Sequence, residues 1–371
     1  MIGFNACSPI KPESHNSLLE LPSVWAKYRK GKELGRGVYG VVFKATHIES
    51  GELVAVKRTP MDEEGIGATT LREACILNRN NIRDYELHRR FQPHSFNRRM
   101  NAENIVQVHE VFQDLPHRFI YLVMDYAETD LAKHIKAYVC KAMLEQTNDF
   151  SSEQQLSLLS LDDKIELGLP RETVRDCMSQ ILAGLAFAHG RRLMHRDLKP
   201  SNILVNYSVR GDMSSKLKLK IADFGLARVR SFPDKRHYTP ETVTMLYRAP
   251  EIFFGVREYG AVIDIWSCGC IFAELVRGRP LFDGETEISV LNDIQRKLGP
   301  IKASDVRNMS LPDIISFQNH SQKTPLSNYV LLDPIGLNLL EKMLVYNADN
   351  RIRSQTALEH AYFNPTHDLE E

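Results

Sequence analysis

Apolar positions change their period about a third of the way along the chain. From Tyr28 onward, ELGRGVYGVVFKATH and ELVAVKRT are short β-branched runs separated by the turn signal IESG, and FIYLVMDYA is a further run of the same kind. Each predicts a strand. Between the second and third lies ATTLREACILNRN, with apolar residues at 71, 74, 76 and 77, a spacing that predicts a helix. After about residue 130 the helical period takes over. RETVRDCMSQILAGLAFAHG carries apolar residues at 174, 178, 181, 182, 185 and 186, and Gly190 stands where a C-terminal stop belongs. VIDIWSCGCIFAELVRG and PIGLNLLEKMLVYN are apolar and long enough for core helices. The pattern predicts an α+β chain of two lobes. A small antiparallel sheet with one main helix fills about 28–126, and a larger, mainly helical lobe fills about 127–365.

Three polar stretches fit a compact core poorly and are expected to be surface insertions: residues 78–103, 141–168 and 206–218. The first holds six Arg against Asp84, Glu86 and Glu103; it suits a solvated loop, with an acidic partner or nucleic acid as the alternative. Residues 1–27 form a polar lead-in and 366–371 a short tail. Lys plus Arg equals Asp plus Glu at 47 each, which argues against a general polyanion binder. The six cysteines include no C-x-x-C pair and are expected as reduced thiols. MIGFNACSPIKPESHNSLLELPS lacks the unbroken apolar run of a signal peptide. No stretch approaches the roughly 20 apolar residues of a membrane span. The expected location is nuclear, with the cytoplasm also open.

Candidate chemistry is concentrated in short, ordered motifs. Gly35, Gly37, Gly40 and Val42 are spaced G-x-G-x-x-G-x-V. Glycines let backbone approach a ligand closely, and their amides can face phosphate oxygens. A dinucleotide fingerprint would need these glycines to open a helix, but strand-like VVFKATH follows, so they should cap a hairpin. Lys57 ends the apolar strand 17 residues after Gly40. It is either a solvated strand end or a phosphate contact held by a carboxylate, and Glu73 on the predicted helix is the candidate. LMHRDLKPSNILV places Asp197, Lys199 and Asn202 on one loop anchored by apolar residues. Asp223 precedes Phe-Gly 21 residues after Asn202. An Asp, an Asn, water and phosphate oxygens make a hard, oxygen-only site suited to magnesium.

Taken in order, GxGxxGxV, VAVK, a helical Glu, HRDLKxxN, DFG and APE (Ala249, Pro250, Glu251) form the signature set that defines eukaryotic protein kinases. The chain resembles that family over roughly residues 28–365. The resemblance implies ATP and Mg2+ as cofactors and protein hydroxyls as acceptors. Asp223 and Asn202 would hold magnesium, Lys57 the α- and β-phosphates and Lys199 the γ-phosphate, with Asp197 accepting the hydroxyl proton and Thr244 bonded to Asp197 and Lys199. Adenine would sit between Leu34, Val42 and Ala55 above and Leu204 below, with Met124 as gatekeeper. The backbone of Asp125 and Ala127 would bond the adenine, and Asp130 would face the ribose.

EEGIGATTLREACIL, YTPETVTMLYRAPE and DIWSCGCIFAELVRGRPLFDG resemble cyclin-dependent kinases. That likeness implies a cyclin-like activating subunit whose docking brings Glu73 to Lys57, and a preference for proline after Ser or Thr. It also implies a phosphorylated Thr239 received by Arg72, Arg196 and Arg228, and an inhibitory Tyr39. Val38 replaces the family's usual threonine beside that tyrosine, and Leu246 stands where tryptophan is usual. DYAETDLAKHIK, LPRETVRDCMSQILAGLAFAH and the insertion after NILV are similar to the Mediator-associated subgroup that pairs with cyclin C. Cell-cycle kinases, a cyclin-tethered scaffold with little catalysis, and a small-molecule kinase are the alternatives. The intact Lys57, Asp197 and Asp223 weigh against the scaffold, and the long YRAPE segment weighs against the small-molecule enzyme.

Overall fold

The computed structural model describes residues 23–37, 40–61, 68–77, 102–147, 167–209, 216–229, 245–256, 259–302 and 325–364. Five antiparallel strands form the N-lobe sheet: β1 (Tyr28–Gly37), β2 (Gly40–His47), β3 (Leu53–Pro60), β4 (Val108–Asp114) and β5 (Phe119–Asp125), in the order β1-β2-β3-β5-β4. In β3 the sequence LVAV is buried on both faces. Val54 and Val56 join Tyr28, Tyr121 and Val123 in an outer cluster, whereas Ala55 faces the main core. A strand covered on both sides reads as a continuous apolar run and not as an alternation.

Two features of this lobe depart from the sequence expectation. The lead-in ends inside the domain: a short helix α1 (Val24–Lys27) buries Val24, and Trp25 meets Phe43 and Tyr121 edge-on. Strand β3 runs three residues past Lys57, which therefore sits mid-strand, paired with Val42 and Leu122. Arg58 stays compatible with the strand because its guanidinium lies over the Phe43 and Phe119 rings.

Helix α2 (Ala68–Leu77) buries Glu73, Ala74 and Leu77. The C-lobe is built from α3 (Leu131–Thr147), α4 (Arg171–Gly190), α5 (Pro250–Phe253), α6 (Ile263–Arg277), α7 (Glu287–Leu298), α8 (Pro334–Met343) and α9 (Ser354–Leu358). On α4 the buried set includes Val174, Met178, Ile181, Leu182, Leu185 and Ala186, the stripe its period predicts. Gly190 is the last helical residue, but the left-handed turn falls at Arg192 (φ 60°). Helix α6 is almost wholly buried, its few polar side chains included, and it ends on Gly278 at φ 74°. One core runs from Ala55 and Met124 through Leu182 and Trp266 to Tyr362.

The expected insertions are shorter at their described ends. Residues 102–104 form a turn whose Asn104 side chain donates to Leu219 O (2.9 Å) and Gln180 Oε1 (3.3 Å), which ties it to the C-lobe. Helix α3 takes in residues 141–147. Two-residue strands β6 (Thr129–Asp130) and β7 (Leu193–Met194) precede β8 (Ile203–Tyr207) and β9 (Leu217–Ile221), which pair antiparallel across the third insertion, and Ser208 N donates to Lys216 O (2.9 Å). Among the described residues no helix is long and apolar enough to cross a membrane.

Candidate active site

The glycine-rich segment is a hairpin, with Gly37 opposite Gly40 and Gly35 opposite Val42. Gly40 is required by packing: at φ +140° a β-carbon would lie 2.2 Å from Arg58 O. Gly35 and Gly37 face open space, with nothing within 4 Å of a β-carbon there, so packing does not explain them and room above a ligand does. Beneath the hairpin, Leu34, Val42, Ala55, Met124 and Leu204 belong to one apolar cluster, and Ala55 is paired with Met124. The residues that the resemblance names as adenine walls thus lie together. The Asp125 amide, however, is committed to Gln107 O (3.1 Å). Its carboxylate accepts from Lys220 Nζ (2.6 Å) and contacts His109 Nε2 (2.9 Å). Burial works to raise that carboxyl, but these partners prevail and hold it below the ordinary range. Asp130 accepts from the Lys133 amide (2.9 Å) in the first turn of α3, as a helix-starting acid does. Ala127 lies half-buried in the segment joining the lobes.

Lys57 Nζ stands 2.6 Å from Glu73 Oε2 and 3.8 Å from Asp223 Oδ1. The sequence reading made this pair wait on a partner; in the structure it is closed. Glu73 is 3% exposed. Burial raises its carboxyl above the ordinary value, the Lys57 ammonium opposes that, and Asp223 adds to it.

Asp197 is buried and has its two oxygens in different surroundings. Oδ2 accepts from Lys199 Nζ (2.9 Å) and Asn202 Nδ2 (3.1 Å), and the same Asn202 nitrogen bonds the Asp197 carbonyl (2.8 Å). Oδ1 has no hydrogen-bond partner among the described residues. A buried carboxylate oxygen left open is costly, so it marks where a substrate hydroxyl would be received.

Asp223 follows β9 with φ 60° and ψ 63°. Ala222 N donates to Asn202 O (2.8 Å), which brings Asp223 and Asn202 to neighbouring strand ends. Asn202 spends its amide nitrogen on Asp197 and leaves its oxygen outside those bonds. An Asn oxygen and an Asp carboxylate are hard donors that suit magnesium when phosphate oxygens and water complete the shell. Among the described residues no group of three or more His, Cys, Asp or Glu is placed to hold a metal ion.

One residue that the motifs did not single out orders this loop. Asp264 of α6 accepts from His195 N (2.8 Å) and Arg196 N (2.9 Å) and contacts His189 Nε2 (2.9 Å). The His195 ring passes the constraint on. Its Nε2 bonds Ala222 O (2.8 Å), its Nδ1 accepts from Asp197 N (3.2 Å), and its face meets Phe224 at 4.8 Å. Burial works to raise the Asp264 carboxyl, yet His189, His195 and the Arg196 amide hold it low. Its signal in the sequence was an acid inside the apolar run VIDIWSCGC. A second buried pair, Arg351 with Glu251 at 2.7 and 2.9 Å, fixes the APE segment to the C-lobe.

Arg196 adopts φ 73° and donates to Leu226 O (3.2 Å). Arg72 and Arg228 lie on α2 and on strand β10 (Arg228–Val229), with side chains outside the described set. Tyr39, Thr239 and Thr244 also fall outside the described residues.

A glycine hairpin over an apolar slot, a lysine clamped by a helical glutamate, and a buried Asp beside an Asn–Asp pair define a phosphoryl-transfer site between two lobes. The chain belongs to the protein kinase family: the family model described as protein kinase domain matches residues 28–363. Protein substrates and ATP follow from that membership.

Proposed function

We propose that this protein transfers the γ-phosphoryl group of ATP to serine and threonine hydroxyls of proteins, as a cyclin-dependent type of kinase. The observation that carries the catalytic part is Asp197, with Oδ2 held by Lys199 and Asn202 and Oδ1 left open. That oxygen accepts the substrate proton while Lys199 faces the charge that develops on the transferred group. Lys57, steadied by Glu73, takes the inner phosphates. Asp223 and Asn202 would hold magnesium, which when bound neutralises phosphate charge and lowers the barrier to transfer.

The cyclin-dependent part rests on the stretches around Glu73, Thr239 and Asp264. The pair Lys57–Glu73 is closed in this conformation, so a cyclin-like subunit acts by holding α2 in a position it already visits. Phosphate on Thr239, received by Arg72, Arg196 and Arg228, would fix the segment after Asp223, and Tyr39 is the matching inhibitory site. The likeness of 125–136 and 169–189 to the Mediator-associated subgroup favours a nuclear role in transcription.

The test is ATP-dependent phosphorylation of Ser-Pro, Thr-Pro and Tyr peptides by the purified chain, alone and with a panel of cyclins, beside Asp197→Asn. Cyclin-dependent labelling of Ser-Pro and Thr-Pro peptides, lost in Asp197→Asn, is the expected result. Equal activity without a cyclin would overturn the partner reading, and tyrosine labelling would overturn the substrate reading.

A further inference from the structure

Strand β4 carries a bulge beside the segment that joins the lobes. Val108 pairs with Met124 and Glu110 with Val123, so His109 is the extra residue with no counterpart on β5. A bulge re-aims the side chain it carries. Here the His109 ring meets Asp125, with Nε2 2.9 Å from Oδ1. The other carboxylate oxygen, Oδ2, accepts from Lys220 Nζ of β9 (2.6 Å) and from the Gln107 amide (3.0 Å). The side chains of His109, Asp125 and Lys220 are 25%, 18% and 29% exposed. That sets them apart from solvent-exposed ion pairs, which contribute little.

These partners share one frame. Just before β4, Val106 N donates to Ile221 O (2.9 Å) and Asn104 Nδ2 to Leu219 O (2.9 Å), which lays this segment along β9. Lys220 stands on the same strand, three residues before Asp223. Asp125 is therefore tied to the strand that leads to the phosphate end of the site. Its carboxylate is engaged on both oxygens and serves to fix the residue. Its amide is donated to Gln107 O (3.1 Å), so its backbone can meet a purine only through the carbonyl, an acceptor. The 6-amino group of adenine is the donor that suits it.

We propose that Lys220 and His109 are positioning residues for the base of ATP: by clamping the Asp125 carboxylate from β9 and from the β4 bulge, they hold its carbonyl toward the 6-amino group of adenine. Neither side chain has to touch the nucleotide. A hydrogen bond made by a backbone carbonyl is only as selective as the carbonyl is fixed, and a charge-assisted network around the same residue fixes it. The carboxylate is the shared element, so each partner acts through it. The inference rests on the ATP-dependent kinase reading and deepens it, by assigning selection of the base to residues outside the apolar slot.

Calorimetry on the full chain with Mg2+ compares ATP with purine riboside triphosphate, which carries hydrogen in place of the 6-amino group. Wild type should prefer ATP about tenfold, the share of one neutral hydrogen bond. Lys220→Met should weaken ATP about fivefold and leave the analogue within about twofold, so that most of the preference disappears. Lys220→Arg keeps the charge and the donors and should retain the preference. In an Asp125→Ala background, Lys220→Met should add nothing, because both changes act through one carboxylate. His109→Leu attacks the network from β4 and should lower the preference about threefold; it decides the matter if Lys220→Met does not fold. In turnover, Lys220→Met should raise KM for ATP and keep kcat at saturating ATP within about twofold, a split that general damage does not give. Equal weakening of both nucleotides, a preference unchanged in both variants, or no preference in wild type would overturn the positioning role. A wild type that binds with the expected preference but phosphorylates no peptide would overturn the kinase reading alone, and the binding ratios would still decide the roles of Lys220 and His109.

Discussion

Replacing Asp264 by Asn tests whether one buried carboxylate orders the catalytic loop. The carboxylate receives the His195 and Arg196 amides and the His189 ring at 2.8–2.9 Å, and Asp264 is 1% exposed. Hydrogen bonds to a charged group are each worth about 1.5–3 kcal/mol net. Asparagine keeps one acceptor oxygen and turns an NH2 toward groups that themselves donate. Part of the three-bond loss relaxes away, which leaves an expected destabilisation of about 3–5 kcal/mol. That is a large share of a typical 5–15 kcal/mol. The catalytic effect runs through His195, which touches both Ala222 and Asp197. A displacement of about 1 Å at Asp197 is enough to lower kcat roughly 100-fold. Nucleotide affinity should change only a few-fold, because Lys57, Glu73 and the apolar slot lie on other elements.

Urea unfolding followed by circular dichroism gives the stability, and initial rates with a saturating peptide give kcat. His189→Ala should couple to Asp264→Asn by about 1–2 kcal/mol in a double-mutant cycle, since the two side chains are in contact. The pH dependence has a defined sign. A carboxyl held below its ordinary value stabilises the fold above the unfolded pKa and loses that contribution as pH falls through the folded one. Asp264→Asn should therefore flatten the acid limb of the stability curve. A variant that loses less than about 1 kcal/mol and keeps full kcat would refute the reasoning. So would one that loses nucleotide binding and turnover together, because that would mean general unfolding and not a displaced loop.

Gly40→Ala should destabilise the N-lobe by about 2 kcal/mol or more, because its β-carbon would meet Arg58 O at 2.2 Å; thermal unfolding reads this directly, and an unchanged Tm would count against the strained hairpin. Arg351→Met should cost about 3–5 kcal/mol by leaving Glu251 buried and unpaired, whereas Glu251→Leu/Arg351→Met together should cost less than either alone. Glu274→Gln should alter the pH profile of stability. The folded carboxyl holds its proton up to about 7 while the unfolded one releases it near 4.5, so wild-type stability falls as pH rises between those values, and the Gln variant, measured by denaturation at pH 5 and 8, should show a shallower fall.

How much of this was legible in the sequence varies residue by residue. The convergence of Lys57, Asp197, Asn202 and Asp223 could be read because they sit in motifs whose members are near neighbours on hairpins and tight loops, where spacing translates into position. The hairpin under the glycines followed from strand-like residues on both sides. Asp264 escaped because its partners lie 69 and 68 residues away, and an acid within an apolar helix gives no local hint of what it bonds. Asp125 was read through its backbone, but its carboxylate ties β4 to β9, with His109 and Lys220 as distant partners. Val24–Lys27 looked like lead-in because four residues carry too little pattern to show which face they bury. The extra length of β3 was hidden by Arg58, whose charge reads as a strand end until the rings beneath it are seen.

The buried residue between the two ends of the site gives the lobes a shared conformation. Phe224 is 1% exposed, and its turn, Phe224–Leu226, packs against α2, which carries Glu73. The same ring meets His195, whose backbone hangs on Asp264. Moving α2 outward would break Lys57–Glu73 and at the same time remove one wall from around Phe224. A close-packed interior does not leave that space empty, so Phe224 would shift and carry Asp223 with it. Glu73 and Asp223, which meet at Lys57, therefore change position together. A push on α2 would then displace the Asp223 carboxylate as well as the lysine clamp.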